Sequence, residues 1–520
     1  MSGPDDVARR RLMLGAAAAG LSAAAGLAGV PRLASGREHE DAQEHLTDLT
    51  AVRAVRRMQR GELTCEQYAR ALLERCRAAS ALNAFITLDP DRVLEDARAR
   101  DRERRAGAPP GPLFGLPIPV KDSVNTRDYP TTGGTPALKN FHPKEDAPLV
   151  AALRAAGAIV LGKTNLHELS YGWTSNNLAF GAVHNPYDLA RIPGGSSGGT
   201  AAAIAARLAP LGVAEDTEGS IRVPAAFCGI MGFRPTTGRY PTRGCVPISP
   251  LFDQAGPHAR TIEDLELFDS VFVPGAPPAA RGPLHGTRLG VVRDFWYTGL
   301  DPEVERLTHL ALERLEKAGA NLVEAPLPGI QRLVDLTTDQ VQNHDARPSL
   351  TKYLEDYGAG LTLAELLAKA SPDIKAIFKS DVMPGGPNVV SEAVYAAARD
   401  RYLPELRARY RDYFAATGVA AMVFPATRVP APRIGDEATL DVGGRRVPFD
   451  DAVARNIAPG STAGLPGLVL PAGLTRTGLP VALEFDGPSR SDRSLLALGA
   501  SLEEALGPVP APRLGTAKRA

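Results

Sequence analysis

Short apolar runs alternate with helix-period stretches along most of this chain, and that alternation restricts its fold more than any other feature. Ala158-Ile-Val-Leu161 has the length and β-branching of a buried strand, whereas Ala201 to Leu208 continues an alanine-rich helical pattern. The pattern predicts an α/β layered fold with a largely buried sheet. A helical stretch, Ala51 to Gly107, comes first. After a Pro/Gly/Ala-rich connector, Pro274 to Gly286, a strand–helix–strand reading runs over Leu289 to Val292, Pro302 to Ala318 and Asn321 to Val323. Helical patterns follow at Leu361 to Ser371 and Ser391 to Ala416, and strands return at Met422 to Pro425 and Leu468 to Leu470.

Hydrophobic residues make up 44% of the 520 positions and charged residues 23%, which suits an enzyme with a large core. Lys plus Arg equals Asp plus Glu at 59 each, so no net field argues for nucleic acid or an anionic membrane as partner. The first 36 residues are read as a signal peptide. Arg9-Arg10-Arg11-Leu12-Met13 opens an apolar run to Val30, and Ala34-Ser35-Gly36 supplies small residues for cleavage. The paired arginines resemble the twin-arginine type. The mature protein is therefore expected in the periplasm or secreted, starting near Arg37, with no stable membrane association after cleavage. Residues 37–47 are read as a linker and 507–520 as a tail.

Four cysteines in an exported chain invite a disulfide reading. Thr64-Cys-Glu-Gln67 has the form of a capping box, and Tyr68, Leu72, Leu73 and Cys76 follow at helical spacing. On one helix Cys65 and Cys76 lie about 16 Å apart, and a disulfide spans at most ~7 Å. That pair is excluded; pairing of Cys228 with Cys245 stays open.

Chemistry concentrates in three segments: Gly115-Leu-Pro-Ile-Pro-Val-Lys121-Asp122, Pro193-Gly-Gly-Ser196-Ser197-Gly-Gly199 and Asp216-Thr-Glu-Gly-Ser220-Ile-Arg222-Val-Pro224. A serine hydroxyl needs a base to become a nucleophile. A lysine serves only when neutral, and the apolar neighbours Leu116 to Val120 favour that form by burial. A second serine can relay the proton. Glycines around both serines let backbone N–H groups approach a reacting oxygen.

These three segments resemble the lysine, serine-glycine and nucleophile motifs of the amidase signature family. The likeness extends through Gly157 to Leu169, Thr174-Ser-Asn-Asn177, Phe233 to Pro241, Gly464 to Gly473 and Asp486-Gly-Pro488, covering roughly residues 48 to 506. Within the family the chain looks most like the indoleacetamide and mandelamide hydrolase group. The resemblance implies one large α/β domain, a mixed sheet with helices on both faces. It implies an amidase for small aryl or hydrophobic carboxamides, without metal or cofactor; oligomeric state is not legible. It assigns Ser220 as nucleophile, Ser196 as relay and Lys121 as base. The N–H groups of Thr217, Glu218, Gly219 and Ser220 form the oxyanion hole. Ser197 and Arg222 support the loops, and Leu169, Tyr171 and Trp173 line the acyl pocket. The chain departs from the family's usual Gly-Thr-Asp-Thr-Gly-Gly-Ser at Ala214, Glu215 and Glu218. A glutamate beside an oxyanion is unfavourable unless its side chain turns away.

Alternatives are an esterase or carbamate hydrolase using the same residues, a catalytically silent binding protein, or the amidase subunit of a tRNA-dependent amidotransferase. Two other patterns are rejected. Gly157 to Thr164 satisfies the Walker A letters, but its middle is a strand-like apolar run where a phosphate cradle needs a loop. His167-Glu168 lacks the second histidine of a zinc protease motif, and the nine histidines form no metal-ligand cluster.

Overall fold

The computed structural model describes residues 45–273, 275 and 281–513. The signal-peptide reading, most of the linker and part of the connector and tail lie outside the described residues. Eleven strands form one mixed sheet. In chain order they are β1 (Phe85–Thr87), β2 (Pro117–Lys121), β3 (Ile159–Thr164), β4 (Leu211–Asp216), β5 (Met231–Arg234), β6 (Gln254–Ala259), β7 (Arg288–Val291), β8 (Asn321–Glu324), β9 (Ala421–Pro425), β10 (Gly467–Leu474) and β11 (Pro480–Asp486). Their order across the sheet is β1-β3-β2-β4-β6-β5-β10-β11-β9-β7-β8.

Strands β3, β2 and β4, neighbours in the sheet next to the β1 edge, run parallel and are buried along almost their whole length, as expected of strands covered on both faces. Strands from both sides of the connector join this one sheet, so the α/β expectation holds and the connector does not split it. From His45 onward the chain forms a single compact unit.

The helical start resolves into three helices, Ala51–Arg60, Cys65–Ala78 and Pro90–Arg105. The second opens on the expected capping box: the Thr64 side chain accepts from the Gln67 N–H while the Gln67 side chain accepts from the Thr64 N–H. Cys65 and Cys76 share that helix, and all four cysteines are free and buried. The Cys228 thiol instead points to the Pro193 carbonyl at 3.4 Å. Residues 159–164 form β3, a strand with no loop for phosphate, and its Lys163 is fully buried.

One helix was invisible to the sequence reading. Thr338–Asp356 runs 19 residues with Pro348 inside it. An internal proline normally marks a helix end, because it removes a hydrogen bond and clashes with the preceding turn. Packing of Ala346, Leu350, Tyr353 and Leu354 into a helical cluster with Leu363, Leu366 and Phe378 retains the helix here. Among the described residues no helix is long and apolar enough to cross a membrane.

Candidate active site

Three elements bring the motif residues together. Lys121 ends β2, Ser196 and Ser197 stand just before the helix Gly198–Ala205, and Ser220 follows β4 in a tight turn. The serine-glycine loop is confined on all sides. Gly194 has a left-handed φ of 85°, and a Cβ there would come within 2.7 Å of the Pro224 Cα. At Gly199 a Cβ would meet the Asn165 carbonyl at 2.3 Å, so only glycine lets the helix start this close to the strand end. The Gly195–Ser196 peptide is cis.

Lys121 Nζ lies 2.7 Å from Ser196 Oγ, with the lysine completely buried. Burial pulls its pKa below the usual lysine range, while the carboxylates of Glu215 and Asp216 pull the other way. The Ser197 N–H donates to the Ser220 carbonyl at 3.3 Å, which joins the two serine segments. The Ser197 hydroxyl is committed elsewhere: it donates to the Glu215 carbonyl at 3.1 Å and accepts from the Glu215 N–H at 3.3 Å. That geometry fixes the loop and leaves Ser196 as the serine in contact with the lysine.

Beneath the nucleophile lies a buried charge network. Asp216 accepts from Arg222 Nε at 3.0 Å, from Arg234 Nε at 3.1 Å and from the Ile221 N–H at 3.0 Å. Burial works against its charge, but the two guanidiniums hold the Asp216 carboxyl down to about 2. Arg222 also reaches Glu484 and the Ser461 hydroxyl, so it ties the turn to β11 and a neighbouring helix and is spent on structure. His258 Nε2, 2.7 Å from the Ile221 carbonyl, holds the same turn from the other side. Among the described residues, no protein acceptor takes the backbone N–H groups of Thr217, Glu218, Gly219 or Ser220. Such free N–H groups in one turn are what a developing oxyanion requires.

Glu218 does not crowd that turn. Its carboxyl accepts from Gln342 Nε2 at 3.1 Å, on the helix Thr338–Asp356, and burial together with nearby Asp339 pushes its pKa well above the carboxylate range. The side chain is turned away from the cavity that receives Ser220, which answers the objection raised by the sequence.

Lys121, Ser196 and Ser220 open onto one cavity of about 330 Å³. Its apolar lining comes from Val246, Pro247, Ile248 and Pro250 together with Tyr353 and Tyr357; Arg243, Lys352 and Asp356 add charge. The three residues expected to line the acyl pocket, Leu169, Tyr171 and Trp173, lie outside this lining. Leu169 is fully buried among Leu138, Val246 and Leu350. Tyr171 packs on Phe378 with ring centroids 4.9 Å apart, and Trp173 packs on the main core, its indole nitrogen near Gly219. Two consecutive left-handed residues, Leu169 (φ 51°) and Ser170 (φ 67°), redirect this segment so that Ser170 faces the cavity. Helix or strand periodicity cannot anticipate such a kink. Tyr353 and Tyr357 were missed because Pro348 masks their helix; Asp253, Cys245 and the contact of Glu215 with the lysine carry no motif. Among the described residues no cluster of side chains is suited to hold a metal ion.

Comparison with known proteins identifies the family of the chain. The family profile described as Amidase matches residues 67–496. The chain is 38% identical over 454 residues to an indoleacetamide hydrolase of Agrobacterium vitis, covering 87% of this chain and 96% of the relative. It is 38% identical over 482 residues to a mandelamide hydrolase of Pseudomonas putida, covering 90% and 94%. Among solved structures, a crystal structure of an amidase superposes with a TM-score of 0.79 at 31% identity, covering 88% of this chain and all of the other. The native peptide amidase of Stenotrophomonas maltophilia superposes with a TM-score of 0.73 at 29% identity, covering 90% and 99%. The chain thus belongs to the amidase signature family, hydrolases that act on C–N amide bonds.

Proposed function

We propose that the protein hydrolyses small aryl or hydrophobic carboxamides outside the cytoplasm, through Ser220, Ser196 and Lys121. Ser220 Oγ attacks the amide carbon; its proton passes to Ser196 Oγ as the Ser196 proton passes to neutral Lys121 Nζ. The N–H groups of residues 217–220 hold the oxyanion, each donor worth ~3 kcal/mol in the transition state. The proton returns along the same path to the leaving nitrogen, and the acyl group remains on Ser220. Water then attacks the acyl carbon while its proton passes through Ser196 to Lys121, the bond to Ser220 Oγ breaks as that proton returns to Oγ, and the acid is released.

The observation that carries this reading is the 2.7 Å contact between a fully buried lysine and Ser196 at the floor of the cavity that also receives Ser220. The apolar and aromatic wall supports a hydrophobic acyl group, and its volume suits one small ring system. The indoleacetamide and mandelamide hydrolases among the relatives support the same class.

The test is hydrolysis of indoleacetamide, mandelamide, peptide amides and anilides by protein beginning near Arg37, with matched esters alongside. Turnover of aryl carboxamides, with acyl trapping on Ser220, is the expected result. Acyl transfer to Ser197, or ester turnover without amide turnover, would refute the assignment. Export is tested by N-terminal sequencing of the cell-envelope fraction; an intact Met1 or Ser2 on active protein would refute cleavage.

A further inference from the structure

Strand β4 ends in two acids, Glu215 and Asp216, whose side chains project to opposite faces as the strand pleat dictates. Asp216 is consumed by Arg222 and Arg234. Glu215 points at the lysine: its Oε2 lies 3.6 Å from Lys121 Nζ and accepts from the Ser123 hydroxyl. Its backbone is held on both sides by the Ser197 hydroxyl and by register with Ala255 on β6. The carboxylate also lines the cavity.

We propose that Glu215 is a positioning residue of the proton path, whose carboxylate stabilises the ammonium that forms on Lys121 as the Ser220 proton leaves through Ser196. This rests on the Ser220–Ser196–Lys121 reading. When the Ser220 Oγ–carbon bond forms, one proton moves from Ser220 to Ser196 and another from Ser196 to Lys121. The positive charge therefore appears 3.6 Å from an anion already fixed by Ser123. The same carboxylate favours charged Lys121 at rest, so less of the neutral base is present at a given pH. The two consequences oppose each other at neutral pH and separate at high pH.

Other groups facing Lys121 do not supply this charge. Cys245 is kept a neutral thiol, its pKa pushed well up by burial and by Glu215 itself. His167 and His258 are pulled down to about 4 by burial and stay neutral. Asp253, raised to about 7 by burial, is occupied by the Thr217 hydroxyl at 2.6 Å and the Ile248 N–H at 2.9 Å. Glu215 contributes to that rise, so Glu215→Gln draws the Asp253 titration down in the same direction as the Lys121 limb, and the high-pH plateau is the readout that Asp253 does not share.

The test is the pH dependence of aryl carboxamide hydrolysis, and of fluorophosphonate labelling of Ser220, in the wild type, Glu215→Gln and Glu215→Asp. The Gln variant is expected to move the acid limb down by ~1–3 pH units and to lower the high-pH plateau by about tenfold or more. The Asp variant, which keeps the charge farther from Nζ, is expected to fall between. A limb that does not move, or a plateau that does not drop, overturns the proposal. If Glu215→Gln does not fold, Glu215→Thr replaces it; failure of both to fold assigns Glu215 to structure and also overturns it. Lys121→Ala separates the two readings. An inactive Lys121→Ala beside an unmoved Glu215→Gln limb refutes this inference alone, whereas an active Lys121→Ala refutes the mechanism beneath it.

Discussion

Lys121 and Lys163 stand on neighbouring parallel strands, where Val120 is in register with Lys163 and Lys121 with Thr164. Both are fully buried, and burial draws both below the usual lysine range. Their partners differ. Lys163 Nζ donates to Thr131 Oγ1 at 2.8 Å and to the Pro130 carbonyl at 3.1 Å, and it is ion-paired with Asp122 Oδ1 at 3.0 Å. Lys121 has one close partner, Ser196, a carboxylate at 3.6 Å and a cavity beyond. A buried lysine held by a close carboxylate and two hydrogen bonds is built into the structure. One with a single hydroxyl partner is free to exchange a proton. Residue type and burial do not separate the two; the number and closeness of polar partners do.

This contrast is open to direct attack. The largest effect belongs to Lys121→Ala, expected to reduce turnover by about 10³-fold or more while the melting temperature stays within a few degrees of wild type, because the change also removes a desolvation cost. Steady-state rates and a thermal melt check it; retained activity would make the two lysines equivalent.

Lys163→Ala should show the reverse. It leaves the buried Asp122 carboxylate without its counter-ion, and denaturant unfolding should register a loss of ~3–5 kcal/mol. Protein that remains folded should keep a rate within severalfold of wild type.

The third expectation concerns pH. Burial lowers the folded pKa of Lys121, so the neutral base accumulates as pH rises towards the ordinary lysine value of ~10.4. Turnover should therefore climb with pH, and Lys163→Met should leave the position of that limb unchanged. The linked stability has the same sign: the unfolded chain binds more protons than the folded one between the folded pKa and ~10.4, so stability rises with pH there. Lys121→Met should flatten part of that rise.

The smallest effect comes from removing both charges of the structural pair. Asp122→Asn combined with Lys163→Met should cost less than the two single changes added together, with a coupling of ~1–3 kcal/mol in a double-mutant cycle. Strict additivity would mean that Asp122 and Lys163 are not one unit.

How much of this was legible in the sequence follows from what each feature depends on. The strands around Lys121 and Lys163 are written in local apolar runs, and the capping box at Thr64 in four adjacent letters. The motif residues Lys121, Ser196 and Ser220 stand out through glycine and serine chemistry, and the fold brings them onto one cavity. The wall was not legible. Leu169 and Tyr171 are turned into a helical cluster by a left-handed kink that no periodicity encodes, and Tyr353 sits on a helix disguised by Pro348. Glu215 looked like a damaged motif position; only the register of β4 against β2 and β6 reveals that its carboxylate meets the lysine.

The helix Thr338–Asp356 brings a further consequence. The reacting atoms belong to residues 121–220, whereas Ser349, Lys352, Tyr353 and Tyr357 reach the cavity from a segment more than a hundred positions downstream. Chemistry and selectivity are thus inherited on separate stretches of polypeptide. Selection for a new acyl group can rewrite the cavity-facing positions of one helix while the proton path stays untouched, so substrate range in such a chain drifts faster than mechanism. A library confined to the cavity-facing Ser349, Lys352 and Tyr357 would explore that drift without touching the reacting residues or the buried face of the helix.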